Sequence, residues 1–281
     1  MAVDVRSHYF RCPEHFSREF MAEPSRSMNC AIVFTVRWDE YQATARSSRR
    51  TIVFGGKARL SGIWVPDAEV ANYVRAHPDR LIGFLSLDPT QPCWQDELRE
   101  GHTALGLKGI MVMPMYAGFL PNAPGLDDLW IYAARHDLPV LLHTGTTFIS
   151  KAPLACTLPR LLDGVAIRHP DVKINLAYPS HPYEGECVAT IRKHANLYAD
   201  CSALHYRPFQ LYHSLMLAQE YGVWSKILFG SVYPFTTVDA SLAGMRALNH
   251  MLEGTALPRP DMTAMEEMFE RDTLSLLDIE A

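Results

Sequence analysis

The sequence predicts an α/β protein, a (β/α)8 TIM barrel formed as a single domain over residues 1–281. Three observations carry that prediction. Eight short, largely apolar, β-branched runs occur along the chain, each bounded by turn residues, as strands buried on both faces require. Helical patterns separate several of these runs, and strands alternating with helices favour a closed parallel sheet. The length of 281 residues suits one such barrel, which typically needs about 250.

In chain order the predicted strands are Ala2–His8, Cys30–Val36, Leu81–Leu87, Leu107–Met113, Pro139–His143, Val172–Tyr178, Asn196–Cys201 and Ile227–Val232. Asp67–Ala76 starts on an acid and carries apolar residues at helical spacing; Leu126–His136 and Glu184–His194 do likewise. Three segments break the alternation. Tyr41–Gly62 holds Gly55-Gly56 between Thr51–Phe54 and Lys57–Leu60, which predicts a hairpin-like insertion after strand two. Pro114–Gly125 is rich in Pro and Gly and follows strand four, and Leu204–Tyr221 is a helical stretch after strand seven. No internal repeat, low-complexity tract or linker divides the chain.

Composition narrows the function classes. The chain is 48% hydrophobic and 20% charged, ordinary for a globular protein. Its net charge is −5, and no basic stretch exists beyond Arg46, Arg49 and Arg50, so nucleic acid is not an expected partner. No run of about 18 apolar residues predicts a membrane span. Met1–Phe10 reads as a strand carrying Asp4 and Arg6, without the basic and apolar regions of a secretion signal. The six cysteines (Cys12, Cys30, Cys93, Cys156, Cys187 and Cys201) form no C-x-x-C pair. Free thiols in a reducing compartment are expected, with the cytoplasm as the location.

Several blocks resemble a known family in the right order. These are "WVPDAEVANYVRAHPDRLIGFLSLDP" (Trp64–Pro89), "GLKGIMVMP" (Gly106–Pro114), "LPVLLHTG" (Leu138–Gly145), "RHPDVKINLAY" (Arg168–Tyr178) and "KILFGSVYPF" (Lys226–Phe235). They resemble the amidohydrolase-related proteins, metal-dependent TIM-barrel hydrolases and decarboxylases that include aminocarboxymuconate-semialdehyde decarboxylase. The resemblance implies H-x-H on strand one, a histidine ending strand five, a histidine ending strand six and an aspartate ending strand eight. A divalent ion needs at least three N or O donors within about 2.0–2.2 Å, and strand ends on the C-terminal face of a barrel converge to supply them.

Here those positions have changed type. Strand one reads Arg6-Ser7-His8, strand five keeps His143, strand six ends in Tyr178, and strand eight carries Val232 in place of the aspartate. Arginine stays protonated and valine has no donor, so only two imidazoles remain. No metal ligand set is expected and no cofactor, with a residual zinc site using His8, His143 and a displaced donor such as His181 or Asp200 as an alternative.

Arg6 then becomes a fixed cation standing where the metal stood, suited to a substrate carboxylate or a developing oxyanion; alternatively it is a structural arginine paired to an acid. His8 and His143 are candidates for general acid or base chemistry. Tyr178 is a candidate hydrogen-bond donor, and His181 re-supplies an imidazole from the next loop. Lys108, Ser231 and Tyr233 are candidate substrate contacts. The expected partner is a small molecule, and the resemblance allows a homodimer. The sequence points to a metal-independent hydrolase or lyase acting on a small carboxylate- or carbonyl-bearing molecule by lactone or ester hydrolysis, decarboxylation, or hydration and elimination. A catalytically silent barrel that binds a ligand or protein is the other class it permits. The pocket is expected under Tyr41–Gly62 and Pro114–Gly125.

Overall fold

A computed structural model describes residues 1–28 and 35–280. Among the described residues ten strands occur in chain order: β1 (Ala2–His8), β2 (Ser48–Phe54), β3 (Lys57–Ala58), β4 (Ile63–Trp64), β5 (Leu81–Leu87), β6 (Ile110–Val112), β7 (Val140–Leu142), β8 (Ile174–Ala177), β9 (Leu197–Asp200) and β10 (Ile227–Leu228). Eight of them pair in parallel in the order β1-β2-β5-β6-β7-β8-β9-β10. The ring closes through backbone rather than through a long last strand. Val5 N donates to Phe229 O at 3.0 Å, Val232 N to Arg6 O at 2.7 Å and His8 N to Tyr233 O at 2.7 Å. This is the TIM barrel that the strand and helix alternation predicts.

Burial explains why the strands read as apolar. All seven residues of β1 and of β5 are buried, one face against the lumen and the other against the outer helices. The helices present one apolar side inward. In Asp127–Arg135, Leu129, Trp130 and Ala133 are buried while Ile131 is 56% exposed. Gly101, on Trp94–Thr103, lets that helix approach β5, since a Cβ there would lie 2.9 Å from Leu85 Cβ. No helix among the described residues is long and apolar enough to cross a membrane.

The expected strand at Cys30–Val36 falls mostly outside the described residues, and Thr35–Val36 is not strand. The strand beside β1 is Ser48–Phe54, with Ser7 opposite Val53 and His8 opposite Phe54. A hairpin does follow it, but its arms are β3 and β4, with Lys57 opposite Trp64. Thr51–Phe54, read from the sequence as a hairpin arm, therefore belongs to the barrel. The cause is Gly55-Gly56. Neither glycine has a positive φ, so they do not form the tight turn that such a pair suggests. Gly55 serves close approach instead: a Cβ on it would sit 2.5 Å from Val65 Cβ.

Gly55→Ala should therefore overpack the contact between β2 and Val65 and destabilise the barrel by about 1–3 kcal/mol. Urea unfolding measures this. A midpoint equal to that of the wild type would show that the contact has slack.

Candidate active site at the barrel mouth

The site begins with the two-residue period of β1. Asp4, Arg6 and His8 lie on one face of the strand, and all three are buried in the barrel interior at 0%, 0% and 4% exposure. They meet partners at successive depths. Asp4 accepts hydrogen bonds from Ser231 N (2.8 Å), Ser231 Oγ (2.6 Å) and Arg6 N (3.1 Å). Arg6 Nε donates to Asp200 Oδ2 across the lumen at 2.9 Å. Asp200 also accepts from Asn175 Nδ2 at 2.6 Å and from the Ser202 hydroxyl. His8 ends the row, with Nδ1 3.2 Å from Tyr233 O and its ring stacked on Phe10.

Above this row lies a cavity of about 390 Å³ at the C-terminal ends of the strands. Its walls are mostly aromatic. Phe10, Phe16 and Phe20 follow β1, Tyr116 follows β6, Phe148 follows β7 and Phe235 follows β10. His8, His143, Tyr178 and Val232 line it near the strand ends, and His181, Tyr206 and Arg207 come from later loops. Among the described residues no aspartate or glutamate is on the wall. His143 is held edge-on by Tyr116 and Tyr178, with ring centroids at 4.8 and 5.2 Å. Both its ring nitrogens are buried without a well-aligned hydrogen-bond partner. The Thr146 backbone lies near enough only to soften its loss of basicity.

Electrostatics follow from the same row. Burial first, and then the Arg6 charge, push His8 down to about 3. Burial, Arg6 and His8, in that order, hold His143 well below the usual imidazole range. Both rings are therefore neutral near pH 7. Burial raises the Tyr178 phenol, although Arg6 opposes it, so its proton stays on. Burial also lifts Asp4 to about 7 despite its three hydrogen bonds. Tyr178 (φ 57) and Val232 (φ 64) both lie in the left-handed region, an outlier for a β-branched residue and a store of about 1–3 kcal/mol each.

The predicted site residues divide into two groups. His8, His143, Tyr178 and His181 come together on the cavity wall. Arg6 does not: its guanidinium is sealed beneath the wall, its Nη2 lies 3.4 Å from Leu142 O, and its Nη1 has no hydrogen-bond partner. A direct grip on a substrate is thus replaced by an effect through space on the imidazoles. Lys108 is exposed and precedes β6, whereas the cavity lies at the C-terminal strand ends. Ser231 is committed to Asp4, deeper in the lumen. Tyr233 packs edge-on against Tyr41, with ring centroids 5.1 Å apart, and does not line the cavity.

The cavity lies less under Tyr41–Gly62 than under Phe10–Phe20, which sequence reasoning missed. The signal was the aromatic density of Tyr9, Phe10, Phe16 and Phe20 just after strand one. Glu184, which holds His181, was missed too; it lies three residues on, within the quoted helix.

The family's metal does not fit these residues. Arg6 is an ion-paired cation at the first ligand position, and Val232 offers no donor. Two neutral imidazoles are too few donors for a divalent ion, and the guanidinium charge beside them repels it. Among the described residues no three His, Cys, Asp or Glu side chains converge as a metal site.

Comparison with known proteins agrees with this architecture. A family model described as amidohydrolase matches residues 7–266. No curated protein matches the chain. An uncharacterised TIM-barrel protein of Bordetella bronchiseptica superposes with a TM-score of 0.72 at 18% identity, covering 99% of this chain and 98% of that one. A probable 2-pyrone-4,6-dicarboxylic acid hydrolase of Acinetobacter baumannii gives 0.65 at 13% identity, covering 99% of each. The 5-carboxyvanillate decarboxylase of Novosphingobium aromaticivorans, complexed with manganese and a nitrobenzoic acid, gives 0.68 at 13%, covering 99% and 96%. At these identities the likeness is one of fold.

Two predictions follow from the lumen. Asp200→Ala leaves the Arg6 charge buried and unpaired and should cost about 3–5 kcal/mol in urea unfolding; a cost within about 0.5 kcal/mol, typical of a surface change, would mean that water reaches Arg6. The second concerns pH. Unfolded His8 binds its proton near pH 6.5, while the folded ring refuses it down to about 3. Its contribution to stability is complete above pH 6.5 and is lost as pH falls toward 3. Asp4, raised to about 7, acts oppositely, losing its contribution as pH rises through 7. His8→Phe should therefore gain stability relative to wild type as pH drops from 6.5 to 4, and Asp4→Asn should gain as pH rises from 4 to 7. Parallel pH profiles for variant and wild type would contradict both assignments.

Proposed function

The chain belongs to the amidohydrolase family, and on that premise we propose that it is an enzyme, a hydrolase or lyase that handles a small carbonyl- or carboxylate-bearing molecule without a metal ion. One observation carries the reading: an open aromatic cavity of about 390 Å³ places His8, His143 and His181 together at the C-terminal mouth of the barrel, over the buried Arg6 guanidinium. Ligand sites are typically about 300–1,000 Å³, mostly apolar, with a few convergent polar groups, and active sites on this fold lie at that face. A silent barrel whose cavity is plugged by side chains would lack such a space.

The residues take distinct parts. The aromatic wall binds a flat, apolar body by burial and ring contacts. His143, neutral and without a well-aligned hydrogen-bond partner, offers one N–H or one lone pair to a substrate oxygen. Tyr178 keeps its proton and can donate it in a hydrogen bond. Arg6 supplies a fixed positive charge behind the imidazoles, which favours negative charge developing in the cavity. The 2-pyrone-4,6-dicarboxylic acid hydrolase and 5-carboxyvanillate decarboxylase named for two structural neighbours are consistent with a carboxylate or cyclic ester as the ligand. A reducing, cytoplasmic setting suits the free thiols of Cys93, Cys156, Cys187 and Cys201.

Protein treated with a chelator should still bind. Benzoate and hydroxybenzoates at millimolar concentration should raise its unfolding temperature, and His143→Ala should abolish the rise. Near-stoichiometric zinc or manganese that co-purifies with wild type and is lost in His143→Ala would overturn metal independence. Indifference to aromatic acids, esters and lactones alike would favour a silent barrel.

A further inference from the structure

Only one of the three cavity imidazoles touches a carboxylate. His181 Nδ1 lies 2.5 Å from Glu184 Oε1; Glu184 is 4% exposed, while His181 is 17% exposed and lines the cavity. An imidazole whose Nδ1–H is given to a carboxylate presents Nε2 as an acceptor, oriented and ready to take a proton. The loop that carries it is fixed. His181 N donates to Tyr178 O (2.9 Å) and Tyr183 N to Ser180 O (2.8 Å). Ser180 Oγ donates to Thr144 Oγ1 at 3.0 Å, which donates to Ala177 O at 2.9 Å. Gly145 (φ +96) leaves no room on the other side, since a Cβ there would lie 2.7 Å from His181 O. Tyr178 and Ser180 both hold φ 57 in this turn, backbone strain of the kind that collects at functional sites. His8 and His143 have no carboxylate partner and face the Arg6 charge instead.

We propose that His181 and Glu184 form a water-activating pair, and that the site hydrolyses an ester or lactone. This rests on reading the cavity as an enzyme site. The step balances as follows. His181 Nε2 takes a proton from water as the water oxygen bonds to the acyl carbon, and the carbonyl electrons move onto oxygen, beside the His143 ring. That oxyanion collapses, the bond to the alkoxy or phenoxy oxygen breaks, and the leaving oxygen takes the proton back from Nε2. The products are a carboxylate, its proton released to solvent, and an alcohol or phenol. Glu184 is a positioning residue: it orients the ring and stabilises the imidazolium. The other titratable groups on the wall are His8, Tyr116, His143, Tyr178, Tyr206 and Arg207; none is an acid that could replace Glu184.

The test uses chelator-treated full-length protein and 4-nitrophenyl acetate. His181→Ala, and His181→Gln of closer size, should lower kcat by about 10²-fold or more. Glu184→Gln should lower kcat with little change in KM. Glu184→Asp should restore part of kcat, as a carboxylate that orients the ring requires and a merely structural residue would not. A wild-type rate no higher than that of His181→Gln, or a Glu184→Gln kcat equal to that of wild type, overturns the pair. If aromatic carboxylates still raise the unfolding temperature in that case, the cavity reading survives and the pair alone fails. If they do not, both fall.

Discussion

The ion pair of Arg6 and Asp200 sits at the centre of the barrel, and the rest of the structure is arranged around it. A guanidinium at 0% exposure is tolerated only with a close acid and further hydrogen bonds. Asp200 supplies the first, and Asn175 and Ser202 hold Asp200 in place. Such a pair contributes little net stability compared with apolar packing of equal volume. What it does contribute is a positive charge fixed within the lumen. Burial first, and that charge second, keep His8 and His143 neutral, and the charge opposes a divalent cation at the position where the family places one.

The cavity also depends on where strain is placed. Tyr178 and Val232 occupy the two strand ends where the family carries a histidine and an aspartate, and both adopt left-handed backbone. Val232 is held there by its N–H to Arg6 O. The altered side chains thus sit on backbone that is held in an uncommon conformation. Around this floor, the aromatic segment after β1 and the loops after β7, β9 and β10 supply an apolar wall. In the proposed hydrolysis the proton is moved by His181, on a loop rather than at a strand end.

Much of the fold was legible because both its signals are local. Apolar runs such as Leu81–Leu87 matched their strand end to end, and Glu184–His194 matched its helix to one residue. The assignment failed at strand two. There a glycine pair, of which Gly55 packs closely against Val65, resembled a turn. Contact distance to a residue ten positions away leaves no mark in a pattern of hydrophobicity. The polar site was legible in part: His8, His143 and Tyr178 stand on one wall as their strand-end positions suggested, and His181 joins them from the following loop. Lys108, Ser231 and Tyr233 do not, because a residue's depth along a barrel strand and the face it turns to are set by register.

The sequence by itself determined the eight-fold alternation, the family blocks and the exchange of donors for Arg6, Tyr178 and Val232, since each is a matter of residue type at a position along the chain. Only the tertiary structure decided that Arg6 lies beneath the cavity wall, that Asp200 pairs with it, that phenylalanines after the first strand roof the cavity, and that Glu184 meets His181. Those outcomes depend on which side chains share one enclosed volume. In a barrel, residues as far apart as Arg6 and Asp200 become neighbours only when the first and last strands close the ring.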